Sequence, residues 1–409
     1  MERFPMRVVV NQLAGLGQKT GIGHYTAELL RCMRAQSPED QIEVFPTGWL
    51  RRAGRTYKRS RPYLDPPAGS SETSQLAPFI SRQGKSFLGL IQRLGKEWAA
   101  RRFRKTCTRQ RYDLYHEPNF IPFPSDCPTV VTVHDLSVLL HPEWHPTDRV
   151  SYFEKHFQKR LAQASHLLAI SDFGRGEIIR ALGVTPGRVT RTYMGIRRGL
   201  EPLAPEKIAP VLADLGLPRQ YLLYLGTIEP RKNVLRLMHA YCDLPRHLRE
   251  SWPLLLVGGW GWNTKDIADY FHDHARHQGV IHLGYVRERH LAAVYSGARA
   301  LIYPSLYEGF GLPPVEMMAC GGAVITSTAG ALVETVGRKA HLVEPEDGQA
   351  WRDALMRVIQ DDDWWQTLRS GVVQVAENFT WERCAVETLM VYRSVHRQTL
   401  ISLPGRAAG

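Results

Sequence analysis

Short apolar runs alternate with helix-patterned stretches in two successive series, and this alternation constrains the fold more than any other feature of the sequence. The first series opens with MRVVVNQL, a glycine-bearing turn (Gly15, Gly17, Gly21, Gly23) and the helix-patterned HYTAELLRCMRA. QIEVF at 41–45, a run at Asp113–His116, TVVTVHD at 129–135 and LLAIS at 167–171 continue it, with helix patterns at 150–165 and in FGRGEIIRAL. In the second series YLLYLG (221–226), PLLLVGG, VIHLG, ALIYPS and AVITS read as strands. Between them lie the helix patterns NVLRLMHAY, TKDIADYFHDHARHQ, ERHLAAVYSGA and PPVEMMACG. Strands apolar on both faces belong to parallel sheets covered by helices on both sides. The expected fold is therefore α/β, with two Rossmann-like doubly wound domains facing each other across a cleft. Ligands of such sheets bind outside the carboxyl ends of the strands. The expected domains are 1–200 and 201–380, with Pro202, Pro205, Pro210 and Pro218 marking the linker, and a separate tail 381–409.

Composition narrows the class. The chain has 409 residues, 44% hydrophobic and 22% charged, which suits a soluble globular protein of two or three domains. No apolar run approaches the roughly 18–20 residues needed to span a bilayer, and the start has no long apolar core of a signal peptide. Six scattered cysteines without a C-x-x-C pair suit a reducing compartment and no structural zinc. A cytoplasmic enzyme is expected. The net charge of +12 is concentrated: between Arg51 and Arg111 there are sixteen basic residues and three acidic ones. Such a stretch attracts an anionic partner.

Two constellations carry chemistry. In ALIYPSLYEGFGLPPVEMMACGGAVITS (300–327) a buried strand runs into a loop with Glu308, Gly309, Phe310 and Gly311, and Pro313 or Pro314 is placed to open a helix. Glycines let backbone N–H groups approach a ligand closely, and a helix N-terminus favours phosphate oxygens. Glu316, near the first turn, is placed to accept two hydrogen bonds from a ribose diol, while Glu308 faces a sugar. The plain alternative is a strand–loop–helix corner with a surface Glu and a capping Glu. In YLLYLGTIEPRKNVLRL (221–237), Arg231 and Lys232 fall at the start of a helix. Cations there oppose the macrodipole by roughly 0.3–1 kcal/mol each, and a bound anion would reverse that sign; otherwise both extend into water. Both elements follow strands of one sheet, so they can clamp one diphosphate, a leaving group that needs such stabilisation.

The pieces GTIEPRKN, LVGGWGW, HLGYV and PSLYEGFGLPPVE resemble the retaining GT-B glycosyltransferases of family 4, which include bacterial GDP-mannose-dependent mannosyltransferases of surface polysaccharide and lipopolysaccharide assembly. The likeness extends to TGIGHYTAELL, VTVHDLSVLLHPEWHP, LLAISDFGRGEII and FTWERCAVETLMVYRSV, and covers most of the chain outside about 50–110. The resemblance implies that Arg231 and Lys232 hold the donor diphosphate. Glu308, with backbone groups of Phe310, Gly311 and Leu312, would contact donor sugar and phosphates, and Glu316 the ribose. Gly284, Tyr285 and Val286 would lie by the base. Gly21 and Gly23 would form the N-domain loop that closes on the diphosphate, and His134 would approach the transferred sugar. Residues 381–409 would supply a helix crossing back towards the N-domain. Two departures stand out: ACGGAV replaces the commoner small-residue–proline turn, and VEPED a VDP-like segment.

The resemblance also implies no cofactor beyond a nucleotide diphosphate sugar, a GDP-sugar before a UDP-sugar, and a glycan or lipid-linked acceptor. No histidine spacing suggests a metal. Within 86–105, Phe87, Leu90/Ile91, Leu94, Trp98 and Phe103 recur near helical spacing among basic residues. That suits peripheral docking on an anionic membrane, or equally a core helix with a solvated basic face. Other classes are a nucleotide-sugar epimerase of the same architecture and a nucleic-acid-binding protein. The second leaves the phosphate clamp without a role, and the basic stretch contains no recognised nucleic-acid module, so nucleic acid is not an expected partner.

Overall fold

A computed structural model of the chain describes residues 5–16, 21–47 and 97–402. Gly17, the segment 50–85, most of the basic helix pattern (86–96) and the last seven residues of the tail lie outside the described residues.

Among the described residues twelve strands form two six-stranded sheets, one per series. The first contains β1 (Arg7–Asn11), β2 (Gln41–Phe45), β3 (Leu114–Glu117), β4 (Thr129–Val133), β5 (His166–Ala169) and β6 (Val189–Arg191), in the order β2-β1-β3-β4-β5-β6. The second contains β7 (Leu222–Leu225), β8 (Leu254–Val257), β9 (Val280–Gly284), β10 (Ala300–Tyr303), β11 (Ala323–Ser327) and β12 (His341–Val343), in the order β12-β11-β10-β7-β8-β9. Every pairing is parallel. All residues of β4, β7, β8, β10 and β11 are buried, as expected of strands covered on both faces. The fold is GT-B.

The ten strands read from the sequence are all present; β6 and β12 were not expected. Each has three residues and lies at a sheet edge, too short to impose a periodic pattern. The first helix starts at Gly21 and runs to Gln36, so Gly21 and Gly23 form its first turn and not a preceding loop. After the Leu312–Ala319 helix, Gly321 adopts a left-handed φ of 71° and β11 begins two residues later. The glycine thus supplies the turn that a proline commonly makes there.

The Trp381–Ser402 helix packs along Gly21–Gln36 of the first domain. Tyr392 Oη and His116 Nδ1 share a hydrogen bond 2.5 Å long, and His116 Nε2 and Thr132 Oγ1 lie 2.8 Å apart. Arg393 pairs with Asp40 at 2.7 Å. Trp381 is buried at the crossing, its indole donating to the Ile196 carbonyl at 2.8 Å. The chain therefore passes between the domains twice, around Ile196 and Phe379, and the two passages touch: Ile196 N donates to Phe379 O at 3.1 Å.

Phe103, offered in the sequence as part of an apolar membrane-facing stripe, is fully buried against Phe45 and Tyr115. It belongs to the core. Trp98, in the same helical stretch 97–110, is exposed with the Arg102 guanidinium 5.8 Å from its ring.

Candidate active site

In the second sheet the strand order reverses between β7 and β10, since the chain builds β8 and β9 on one side and β11 and β12 on the other. A doubly wound sheet opens a crevice at the carboxyl ends of such a strand pair. The turns that leave β7 and β10 carry Arg231, Lys232 and Glu308. After β7, Pro230 opens a 3-10 turn, Pro230–Lys232, and Asn233 closes it with a left-handed φ of 56°. The Asn233 amide donates to the carbonyls of Pro304 (3.1 Å) and Pro345 (2.8 Å), tying the turn to the segments after β10 and β12. The two cations therefore precede the Val234–Cys242 helix on a pinned turn and are not in the helix itself.

Neither cation extends into water. Lys232 is buried; its Nζ donates to Tyr303 Oη at 2.8 Å and to Glu308 Oε1. Arg231 donates from Nη1 to the Tyr307 carbonyl at 3.0 Å and to Glu308 Oε2 at 3.2 Å, and its Nε lies 2.7 Å from Glu229 Oε1. Ser305 Oγ donates to Glu308 Oε1 at 2.8 Å. Burial alone would raise the Glu308 pKa, but Lys232 and Arg231 outweigh it and hold the carboxyl at about 2. Burial, then Arg231, lower the Lys232 pKa, while Glu308 opposes the shift. The cluster is a buried ionic network whose members depend on one another for charge compensation.

The loop from Glu308 to Gly311 presses against the first domain. A β-carbon on Gly309 would lie 2.0 Å from the His134 carbonyl oxygen, and one on Gly330 would lie 2.4 Å from that of Glu308. Ser171 Oγ donates across the interface to the Gly309 carbonyl at 2.7 Å. Tyr307 Oη accepts from Leu136 N at 3.1 Å and donates to Glu177. Glu334 accepts from the Asp172 and Phe173 amides at 2.7 and 2.9 Å, so a second-domain carboxylate caps the first-domain helix Asp172–Leu182. Gly311, with φ 87°, precedes the Leu312–Ala319 helix. Pro313 and Pro314 remove two of that helix's free amides. The N–H groups that the helix start leaves to an anion are thus those of Gly311 and Leu312, with Phe310 just before them, while Val315 N–H already closes the first helical turn.

His134 comes to this interface by its backbone. Its ring is buried between Tyr25 and Phe120, and Nε2 lies 2.8 Å from the Pro118 carbonyl. A carbonyl only accepts, so Nε2 carries the proton; burial lowers the pKa, and the neutral ring keeps Nδ1 as an acceptor.

Glu316 lies on the second turn of its helix rather than the first, and is fully buried. Its Oε2 accepts from Tyr295 Oη at 2.9 Å and from Arg197, which stands in the first passage between domains. Oε1 is buried with no hydrogen-bond partner among the described residues. The expected pair of hydrogen bonds from a ribose diol would fall to Oε1, since protein donors already take Oε2. Gly284 (φ 71°) ends β9, Tyr285 is 60% exposed and Val286 is buried. Gly21 and Gly23 open the first helix at the first-domain face, and a β-carbon on Gly23 would lie 2.7 Å from the Ala14 carbonyl. Glu229, Tyr303, Ser305, Arg197 and Tyr295 were not anticipated. Only Glu229, two residues before Arg231, carried a local sequence signal. Among the described residues no three His, Cys, Asp or Glu side chains cluster as a metal site would.

Comparison with known proteins agrees with this architecture. The model of the family described as Glycosyltransferase Family 4 matches residues 20–199, and that of Glycosyl transferases group 1 matches residues 214–372. The chain is 33% identical over 380 residues to O-antigen chain mannosyltransferase B of Escherichia coli, covering 91% of this chain and 96% of that protein. The serotype-specific mannosyltransferase WbdA of Escherichia coli is 29% identical over 266 residues, 63% of this chain and 32% of WbdA. Among solved structures, sucrose-phosphate synthase from Thermosynechococcus elongatus superposes with a TM-score of 0.68 at 21% identity, covering 96% of this chain and all of that one. Anabaena HepE in complex with UDP and glucose superposes at 0.64 with 19% identity, covering 97% and 100% of the two chains.

Proposed function

From the premise that this chain belongs to the group 1, family 4 glycosyltransferases, we propose that it transfers a mannosyl residue from GDP-mannose, with retention, to a growing surface glycan. The preference for mannose rests on the 33% identity to O-antigen chain mannosyltransferase B over nearly the whole of both chains. The guanine base is the reading of the GTIEPRKN segment, with a UDP-sugar second.

One observation carries the site: Arg231 and Lys232 converge on Glu308 at the ends of β7 and β10, beside the helix start formed by residues 310–312. In this reading the donor diphosphate lies against these cations and amides, and the charge that develops on it as the glycosidic bond breaks is met by groups already oriented. A carboxyl held at about 2 carries no proton near neutral pH. Glu308 therefore acts as a fixed negative charge that holds the cations in place and stabilises positive charge on the sugar, and not as a general acid or base. The acceptor hydroxyl attacks from the leaving-group face and gives its proton to a diphosphate oxygen. His134 orients the sugar, its Nδ1 accepting from a sugar hydroxyl. Closure of Gly309 onto His134 excludes water.

Thermal-shift screening against GDP, UDP, ADP and their sugars tests the donor. NMR of the product made from GDP-mannose tests retention through the anomeric configuration. Stabilisation by UDP-sugars alone would overturn the guanine assignment, and an inverted anomer would overturn retention.

We place the enzyme in the cytoplasm, peripheral on the membrane, where a lipid-linked acceptor would be reached. The exposed Trp98 with the exposed Arg101, Arg102 and Arg104 supports this. No helix among the described residues is long and apolar enough to cross a membrane. Equal flotation with neutral and anionic liposomes would remove the membrane part of the proposal.

A further inference from the structure

Three buried polar atoms lack a hydrogen-bond partner among the described residues where the two domains meet: Glu316 Oε1 and both ring nitrogens of His24, a ring close enough to the Glu316 carboxylate to feel its charge. Buried polar groups are nearly always satisfied, so three in one place call for a ligand or solvent that completes them. His24 projects from the first turn of the Gly21–Gln36 helix and is 6% exposed, beside Trp381. Across the interface its Nδ1 is 3.7 Å from Glu288 Oε1, too far for a hydrogen bond. Arg197 and Glu316 complete the charges around it, with Glu28 on its own helix.

The chemistry of the missing partner follows from the protonation states. Burial first, and then the Arg197 guanidinium, lower the His24 pKa, so the ring is neutral near pH 7 and offers one donor and one acceptor. A phosphate seeks positive charge and finds none in this ring. A hydroxyl can donate and accept and suits it fully. Glu316 Oε2 is already occupied by Arg197 and Tyr295, so a vicinal diol meets this carboxylate through Oε1 alone, and the unpartnered His24 ring, which feels the same carboxylate, offers a further polar contact.

We propose that His24 is a donor-binding residue: one ribose hydroxyl bonds to Glu316 Oε1 and its neighbour to the His24 imidazole. The inference rests on the reading of Glu316 as the ribose residue and extends it. The nucleoside then bridges the domains through its sugar, and Arg197 positions the carboxylate without touching the ligand.

The test is calorimetric titration of the intact enzyme with whichever of GDP, UDP and ADP raises its melting temperature most, and with the 2′-deoxy and 3′-deoxy forms of that nucleotide. In the wild type each deoxygenation is expected to weaken binding by about tenfold, the scale of one hydrogen bond. In His24→Ala one of the two penalties should fall to near unity while the other persists, and His24→Asn, which keeps a donor and an acceptor, should restore part of the lost penalty. In Glu316→Gln the other penalty should shrink. Two unchanged penalties in His24→Ala overturn the role of His24. If Glu316→Gln leaves both penalties as in the wild type, the ribose reading of Glu316 fails, whatever His24 does. A wild type indifferent to both deoxygenations overturns both. If His24→Ala does not fold by circular dichroism, His24→Asn alone decides, through a changed or unchanged penalty.

Discussion

Gly309 lies against His134 so closely that its two hydrogens are all the interface admits: a β-carbon there would stand 2.0 Å from the His134 carbonyl oxygen. The Gly309 backbone is not left-handed, so alanine is conformationally allowed and the obstacle lies wholly in the other domain. Gly309→Ala should therefore hold the domains apart while leaving each sheet intact. Turnover is expected to fall by about tenfold or more, with near-native circular dichroism and a larger radius of gyration in solution scattering.

Lys232→Ala removes the buried ammonium from Glu308 and from the proposed diphosphate site. The loss in kcat/KM for the donor is expected at about 10²–10³, the scale of one preorganised donor. Glu308→Gln should cost a similar factor, because it leaves Lys232 and Arg231 without their shared counter-ion. Steady-state kinetics with donor varied at saturating acceptor gives both numbers.

Acid should unfold the protein in two distinguishable windows. His116 is buried and neutral; burial first, then nearby His134, lower its pKa from 6.5 to about 3. A depressed folded pKa means the unfolded chain binds the proton first, so this contribution is complete above pH 6.5 and is lost as pH falls below it. Glu308, lowered from 4.5 to about 2, contributes above pH 4.5 and loses it between 4.5 and about 2, roughly 3 kcal/mol in all. Urea midpoints across pH should flatten from 6.5 down to about 3 in His116→Asn, and only between 4.5 and about 2 in Glu308→Gln, so the onset of the effect separates the two.

Glu334→Gln weakens the cap that one domain places on the helix Asp172–Leu182 of the other. Capping contacts are worth about 0.5–2 kcal/mol. The donor KM is expected to rise severalfold with kcat nearly unchanged, since the carboxylate's bonds go to the Asp172 and Phe173 amides and not to Arg231, Lys232 or Glu308. A lowered kcat with an unaltered KM would contradict this.

The sheets were legible because a strand buried on both faces leaves an unbroken apolar run, as in β10 and β11. Edge strands β6 and β12 have three residues each and write no such run. Arg231, Lys232 and Glu308 were legible as parts of a site from the strand–turn–helix context, and the structure brings them together. Their convergence was expected from two turns of one sheet, but the pairing of both cations with Glu308 itself was not, because strand order does not say which side chains of the two turns touch. The same holds for Arg197: 119 residues separate it from Glu316, and nothing local marks the contact. His24 looked like the start of an amphipathic helix, and only the opposing domain reveals that its ring lacks a partner.

The long helix Trp381–Ser402 is built into the first domain through Tyr392, His116 and the Arg393–Asp40 pair. During synthesis the ribosome delivers the second sheet whole before it delivers this helix, so the half made first is finished last. Expressed alone, residues 1–200 would expose the groove that this helix fills, and aggregation is the expected fate of that fragment. Co-expression with a separate piece carrying residues 201–409 should rescue it, because the missing wall would then arrive in trans.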